Sequence, residues 1–341
     1  MKDVLEIKNL NVCFLLKNNK KLFILRDISL TISQSQKIAI VGESGSGKTT
    51  LANTIMLLND KKFTSYSGII KFYPQKDSCN CSKEIFIINS KNKNNLLSEN
   101  HMLHLRGNHI SMIFQDPFSA LNPVIPVGKQ VEEVITNHFE FSKSEVYHKV
   151  IDIFHKVKLP EPELTYNKYP HQLSGGQIQR ICIAAAVVNK PEILIADEPT
   201  TSLDASLKEV IMDLLNELVF ENNSTFILIT HDINLVRNYV DYVFILYAGE
   251  IIEYSYTKEI FEKPLHPYTM LLLECTVDKT KKGQKLATIP YDLPDLTDEA
   301  TFKRCIFYNR CNKKIKKCEL SKPEFYSFED KHFIKCFLYE K

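Results

Sequence analysis

The sequence predicts an α/β fold, with a parallel-sheet core preceded by antiparallel strands, interrupted by a helical subdomain and followed by a small cysteine-containing extension. Three observations predict it. An apolar run over residues 36–41 leads straight into Gly42-Glu43-Ser44-Gly45-Ser46-Gly47-Lys48-Thr49, the strand, loop and helix order of a phosphate-binding loop. Two further segments, residues 193–196 and 225–230, are fully apolar, as central parallel strands covered on both faces must be. Across residues 105–189 the apolar positions recur mostly at helical spacing.

Taken in chain order, residues 4–31 alternate apolar and polar side chains and read as short strands. Residues 77–100 are rich in Asn, Lys and Ser around an apolar island at 85–88, and read as a surface insertion or long loop. A helix is expected to start at Ser174 and to run through Ile178, Ile181, Ala185 and Val188. Another, between the two apolar strands, carries Leu207, Val210, Ile211, Leu214, Leu215, Leu218 and Val219, with Ser206 and Glu209 as a capping box. From Pro264 onward, prolines and a lysine-rich stretch mark a separate tail. The expected division is residues 1–263 and 264–341.

A chain of 341 residues, 44% hydrophobic and 25% charged, can bury a sizeable core. Its net charge of +2 is too small to argue for a nucleic-acid partner, and no apolar run reaches the roughly 18 residues that span a bilayer. The opening Met1-Lys2-Asp3-Val4-Leu5-Glu6 lacks the apolar core of a signal peptide, which points to the cytoplasm, with any membrane work done through partner subunits. Nine cysteines are no disulfide framework: Cys13, Cys79, Cys81, Cys182 and Cys275 are scattered, while four crowd the last 37 residues.

In the phosphate loop, glycines let backbone N–H groups converge on phosphate oxygens at a helix N-terminus. Lys48 reaches the β- and γ-phosphates, and the Thr49 hydroxyl joins an octahedral Mg²⁺ shell completed by a strand-end carboxylate, for which Asp197 is the candidate. Glu198 follows directly, beside the γ-phosphate and not used as a ligand. It is the candidate general base for the attacking water.

The ordered set of residues 42–49, Gln115, Leu173-Ser174-Gly175-Gly176-Gln177, Asp197-Glu198, Asp204 and His231 resembles the ABC ATPase superfamily over about residues 3–255. The resemblance implies an ABC-type nucleotide-binding domain with a RecA-like core, binding ATP and Mg²⁺ through residues 42–49 and Thr50. Gln115 and His231 then sense the γ-phosphate, Gln115 also meeting the Mg²⁺, and Phe14 stacks on adenine, with Phe23 competing for that role. Leu173 to Gln177 becomes the signature that faces the ATP held by a partner subunit, and Asp204 lies in the loop crossing that dimer interface.

The flanks narrow the resemblance. Residues 114–123, Tyr169-Pro170-His171-Gln172, His266-Pro267-Tyr268-Thr269, Ile289-Pro290, Pro294-Asp295-Leu296 and Arg310-Cys311 are similar to the oligopeptide/dipeptide/nickel importer ATPases. That family implies a paralogous ATPase partner, two membrane permease subunits, an extracytoplasmic binding protein, and a peripheral place on the cytoplasmic face of the membrane. Peptides lead as the transported solute, with nickel or a metal chelate behind. A non-transport ABC ATPase acting on DNA or the ribosome is the competing class. The long coiled coils or the second cassette of those proteins are missing from the sequence.

Cys305, Cys311, Cys318 and Cys336 are separated by five, six and seventeen residues, which suggests metal ligation but is not the tight pairing of a zinc ribbon. The resemblance favours a four-iron four-sulfur cluster. Zinc, with His332 as a possible substitute ligand, and free structural thiols remain alternatives. Cys79 and Cys81 read as two plain thiols in the polar insertion.

Overall fold

The computed structural model describes residues 2–17, 20–75, 84–90, 96–201, 204–275, 293–329 and 331–340. The first strands, β1 (Asp3–Leu15) and β2 (Lys21–Ser33), are longer than the alternation suggests and pair antiparallel. β3 (Lys37–Val41) and α1 (Lys48–Ile55) flank the glycine loop. β4 (Thr64–Phe72) and β5 (Ile85–Asn89) complete a four-stranded sheet of order β2-β1-β4-β5. The expected loop over 77–100 is therefore corrected in part. Its island is a paired strand with Ile87 and Ile88 buried, and Glu99 already begins α2 (Glu99–Leu105), capped by Ser98. Cys79 and Cys81 lie outside the described residues.

β6 (Ile110–Ile113) precedes five helices, α3 (Pro117–Ala120), α4 (Val127–Thr136), α5 (Lys143–Lys156), α6 (Pro162–Tyr166) and α7 (Gly175–Val187). Then come β7 (Ile193–Asp197), α8 (Ala205–Asn222), β8 (Thr225–Thr230), α9 (Ile233–Val236), β9 (Tyr242–Tyr247) and β10 (Glu250–Tyr256). The last elements are α10 (Thr257–Glu262), α11 (Pro267–Glu274), α12 (Lys316–Leu320), β11 (Tyr326–Glu329) and β12 (His332–Ile334).

The second sheet runs β11-β12-β10-β9-β3-β8-β7-β6, parallel from β9 to β6 and antiparallel beyond. Its central strands are buried on both faces, which is why they carry no polar alternation. Ala39, Val41, Leu194, Ala196, Phe226 and Leu228 face one core, and Ile38, Ile40, Ile193, Ile195, Ile227 and Ile229 face the other. Two further expectations change. The N-cap position of α8 is Asp204, so the helix begins two residues earlier than a cap at Ser206 would place it. Leu207 and Val210 are 38% and 44% exposed while Ile211, Leu214, Leu215, Leu218 and Val219 are buried.

The tail is not separate, since it supplies β11 and β12 to the main sheet, and Phe307, Cys305 and Cys318 to the main core. The fully buried carboxylate of Glu253 in β10 holds it there, accepting the N–H groups of Leu265 (2.8 Å) and His266 (2.9 Å) and meeting His332 Nε2 at 2.8 Å. His266 caps α11 by accepting the Tyr268 N–H on Nδ1 (3.1 Å), so its ring is neutral with the proton on Nε2. Burial lowers its pKa from 6.5 to about 4, with Glu253 opposing. A depressed histidine pKa means that the unfolded chain takes up the extra proton first, so stability is lost as pH falls from 6.5 toward 4. Between pH 7 and pH 5 this residue should cost about 2 kcal/mol of unfolding free energy. Urea titrations comparing the wild type with His266→Asn, which retains a capping side chain, should show that increment only in the wild type.

Candidate functional site

The glycine loop is shaped by close approaches that no side chain survives. A Cβ on Gly42 would lie 2.1 Å from the Leu246 carbonyl oxygen, and Gly45 and Gly47 take left-handed φ values of 81° and 101°. The Gly249 N–H donates to Ser46 O (2.9 Å), tying the loop to the β9–β10 turn. Lys48 is buried and folds back on its own loop, donating to Gly42 O (2.8 Å) and Glu43 O (2.9 Å). Burial pushes its pKa down while Glu198, Asp197 and Glu43 hold it up.

At the end of β7, Asp197 is 1% exposed and its Oδ1 has no hydrogen-bond partner. Burial raises its pKa, Thr49 and Lys48 pull it down, and Glu198 pushes it up. An orphaned buried carboxylate oxygen beside a threonine hydroxyl is an oxygen donor set suited to Mg²⁺. Glu198, with φ of 48°, is the point of convergence. Its Oε2 accepts from Gln115 Nε2 (3.1 Å) and Thr201 Oγ1 (2.9 Å), and its Oε1 lies 3.1 Å from His231 Nδ1. Gln115, Glu198 and His231, expected from separate motifs, are thus brought into one cluster. Thr201 was not singled out by sequence; its offset of three from Glu198 was the only signal.

Leu173 to Gln177 opens α7. Ser174 Oγ accepts the Gln177 N–H (3.4 Å) and Gln177 Oε1 accepts the Ser174 N–H (2.9 Å), a capping box that frames the two glycines. Ser174, Gly175, Gly176, Gln177 and Asp204 line one open cleft of about 480 Å³ with Pro160, Arg180 and Leu207. None of the lining residues comes from residues 42–49, so this cleft lies apart from the glycine loop. Thr50 is half-buried in α1. Phe14, paired with Leu22 and Thr64, packs against the rim of the core, whereas Phe23 is engaged edge-on by Phe302 at 5.3 Å.

Comparison with known proteins decides the family. The ABC transporter family model matches residues 25–201, and a model for the oligopeptide/dipeptide transporter C-terminal region matches residues 252–318. The chain is 40% identical over 296 residues to the dipeptide transport ATP-binding protein DppD of Lactococcus lactis, covering 86% of this chain and 79% of that one. It is 33% identical to the oligopeptide transport ATP-binding protein AppD of Bacillus subtilis, over 100% of this chain and 98% of that one. The chain belongs to the ABC transporter family. Among solved structures, the dimeric ATP-binding cassette MJ0796 bound to ADP and Pi superposes with a TM-score of 0.60 at 28% identity, covering 74% of this chain and 98% of that chain. This chain is an ABC-type ATPase with the cassette fold.

The tail of this ABC ATPase gathers its four cysteines in one lobe. Cys305, Cys318 and Cys336 are buried and Cys311 is half-buried, and the Cys305 N–H donates to Cys318 O (3.0 Å). Burial pushes the Cys305 thiol up to about 12 and Cys336 to about 11, and the neighbouring cysteines add to both shifts. Among the described residues, however, no group of three or more His, Cys, Asp or Glu side chains is arranged to hold a metal ion. The iron–sulfur expectation therefore gains no support from geometry. His332, the substitute ligand of the zinc alternative, has its Nε2 2.8 Å from Glu253 Oε1 inside the sheet. Sequence also attached no chemistry to Tyr268 and Arg310, although both contact Glu43 of the phosphate loop. They stood out only as parts of the two tail motifs.

The fit of Gly42 against Leu246 yields a direct test. Gly42→Ala forces the loop off its strand by about an ångström, so ATPase turnover should fall on the order of 10²-fold. Steady-state phosphate release, measured with nucleotide affinity, checks it.

Proposed function

We propose that this chain is the ATP-hydrolysing subunit of an importer of peptides, and that Glu198 is its general base. The observation that carries the catalytic half is the convergence of Gln115, Thr201 and His231 on Glu198, one residue from the orphaned Asp197 oxygen. The peptide half is supported by the tail match over residues 252–318 and by the names of the relatives that span the chain.

In this reading residues 42–49 and Thr50 cradle the ATP phosphates, Lys48 leaving its loop carbonyls for the β- and γ-phosphates. Thr49, Asp197 and Gln115 would hold Mg²⁺, which, when bound, neutralises charge on the transferred phosphoryl group. Glu198 takes a proton from the attacking water, and His231 and Gln115 orient both. Phe14 stacks on the base. Leu173 to Gln177 completes the nucleotide site of a paralogous ATPase subunit, with Asp204 at that interface. The apolar cleft of about 270 Å³ beside Gln115, lined by Met56, Leu58, Met112, Phe114, Leu121 and Cys182 among others, would receive a permease subunit. Two permeases and an extracytoplasmic binding protein complete the assembly, and no nucleic acid takes part.

No helix among the described residues is long and apolar enough to cross a membrane, so attachment to the cytoplasmic face would be peripheral, through the permeases. The ATPase domain comprises residues 1–263, with the helical subdomain at about 105–189, and the extension comprises 264–341. Cys305, Cys311, Cys318 and Cys336 would be the ligands of a four-iron four-sulfur cluster, a reading that rests on the cysteine pattern of the sequence and not on the geometry.

Glu198→Gln should retain ATP binding while lowering turnover about 10²- to 10⁴-fold, measured as phosphate release by the reconstituted transporter. Loss of binding together with turnover would make Glu198 a ligand and not a base. For the tail, anaerobic purification should yield a brown protein with four irons and four sulfides per chain. A colourless protein with stoichiometric zinc, or with no metal, would refute the cluster.

A further inference from the structure

Residue 43 is where the tail touches the nucleotide site. Each polar group of Glu43 but one is engaged, and two of the partners belong to the tail. Its N–H donates to Tyr268 Oη (2.9 Å), its carbonyl accepts from Lys48 Nζ (2.9 Å), and its Oε2 accepts from Arg310 Nη1 (3.0 Å). Its Oε1 is buried without a hydrogen-bond partner. The Arg310 side chain is 5% exposed and also lies 3.4 Å from Tyr247 Oη. Tyr247, Tyr268 and Phe307 pack on one another with ring centroids 4.7 to 5.6 Å apart, so the platform beneath the pair is rigid.

Arg310 itself is fixed by a short 3₁₀ turn, Tyr308–Arg310, between Cys305 and Cys311; the Tyr308 N–H donates to Cys305 O (3.0 Å) and the Arg310 N–H to Phe307 O (3.1 Å). The Arg310 guanidinium is buried against the Glu43 carboxylate, and a charge-assisted hydrogen bond of this kind is about twice as strong as a neutral one. When Lys48 turns to the phosphates, the Glu43 carbonyl keeps the Ser46 N–H (3.1 Å) as its tie within the loop. The Glu43 N–H and carboxylate are held from the tail, by Tyr268 and Arg310.

We propose that Arg310 is a positioning residue for ATP: its buried ion pair with Glu43 holds the phosphate loop in the shape that receives nucleotide. The small tail thereby sets the ATP affinity of the cassette. This rests on the reading of residues 42–49 as the ATP phosphate loop. In the assembled transporter, Arg310→Gln should raise KM for ATP about tenfold with kcat changed less than about twofold. Equilibrium binding of ATP to the full-length chain should weaken by the same factor. Glu43→Ala should reproduce the shift, and the double variant should be no worse than either single one, since both remove the same contact. Arg310→Lys, which retains the charge, should recover part of the affinity.

An unchanged KM in both variants, or effects that simply multiply in the double variant, would overturn the proposal. So would a fall in kcat without a change in affinity. If Arg310→Gln does not fold, Glu43→Ala, which leaves the tail intact, decides alone. A wild-type chain that binds no ATP would remove the phosphate-loop reading and the proposal with it; a binding wild type with indifferent variants removes the proposal only.

Discussion

Two adjacent buried carboxylates, Asp197 and Glu198, are the constraint on which the rest of the molecule depends. Neighbouring acids at 1% and 8% exposure repel each other and lose hydration, so they persist only if cations and hydrogen-bond donors are brought to them. Those groups come from the carboxyl ends of four neighbouring strands: Lys48 and Thr49 after β3, His231 after β8, Thr201 after β7 and Gln115 after β6. The strand order β3-β8-β7-β6 is thus the scaffold of the site. Parallel strands put all four loops at one end, where ligands bind in open α/β sheets.

The same logic explains why the tail is built into the sheet. Residues beyond β10 carry few strong local structures, and their hold on the cassette is a set of buried polar contacts: Glu253 to the backbone of Leu265 and His266, Glu253 to His332, and Arg310 to Glu43. Each is costly to break because the remaining partner would be left buried and unpaired. Glu250, likewise buried in β10, meets Arg26 at 3.1 Å and Lys322 at 2.9 Å, joining the N-terminal sheet and the tail across the same strand. β10 therefore stands between the nucleotide-binding core and the cysteine lobe and is tied to its surroundings through the buried carboxylates of Glu250 and Glu253.

Most of the candidate site was legible because its residues sit at strand ends that the apolar pattern marks. The phosphate loop, Asp197 and Glu198 needed only the order of strand, loop and helix. What could not be read was contact at long range: Thr201 is three residues from Glu198, but Arg310 is 267 residues from Glu43, and no local periodicity encodes such a pair. β5 was missed for a related reason. Five residues in a polar stretch look like a loop until β4 supplies their hydrogen bonds. The start of α8 was expected two residues late because Asp204 and Ser206 are both acceptable N-cap residues, and spacing alone does not choose between them.

The turn at residues 173–177 and the loop at residues 42–49 both lead into helix N-termini, yet their local chemistry differs. Lys48 satisfies its loop from within, so the loop holds its shape until phosphate replaces the carbonyls. At α7 the capping box occupies the N–H groups of Ser174 and Gln177, so an anion approaching that turn meets Gly175 and Gly176. A Cβ at either glycine would touch no atom of its own chain closer than 3.6 Å. Packing within this subunit therefore gives no reason for glycine at those two positions. On the function proposed above, a nucleotide held by a second cassette would supply that reason from outside the subunit.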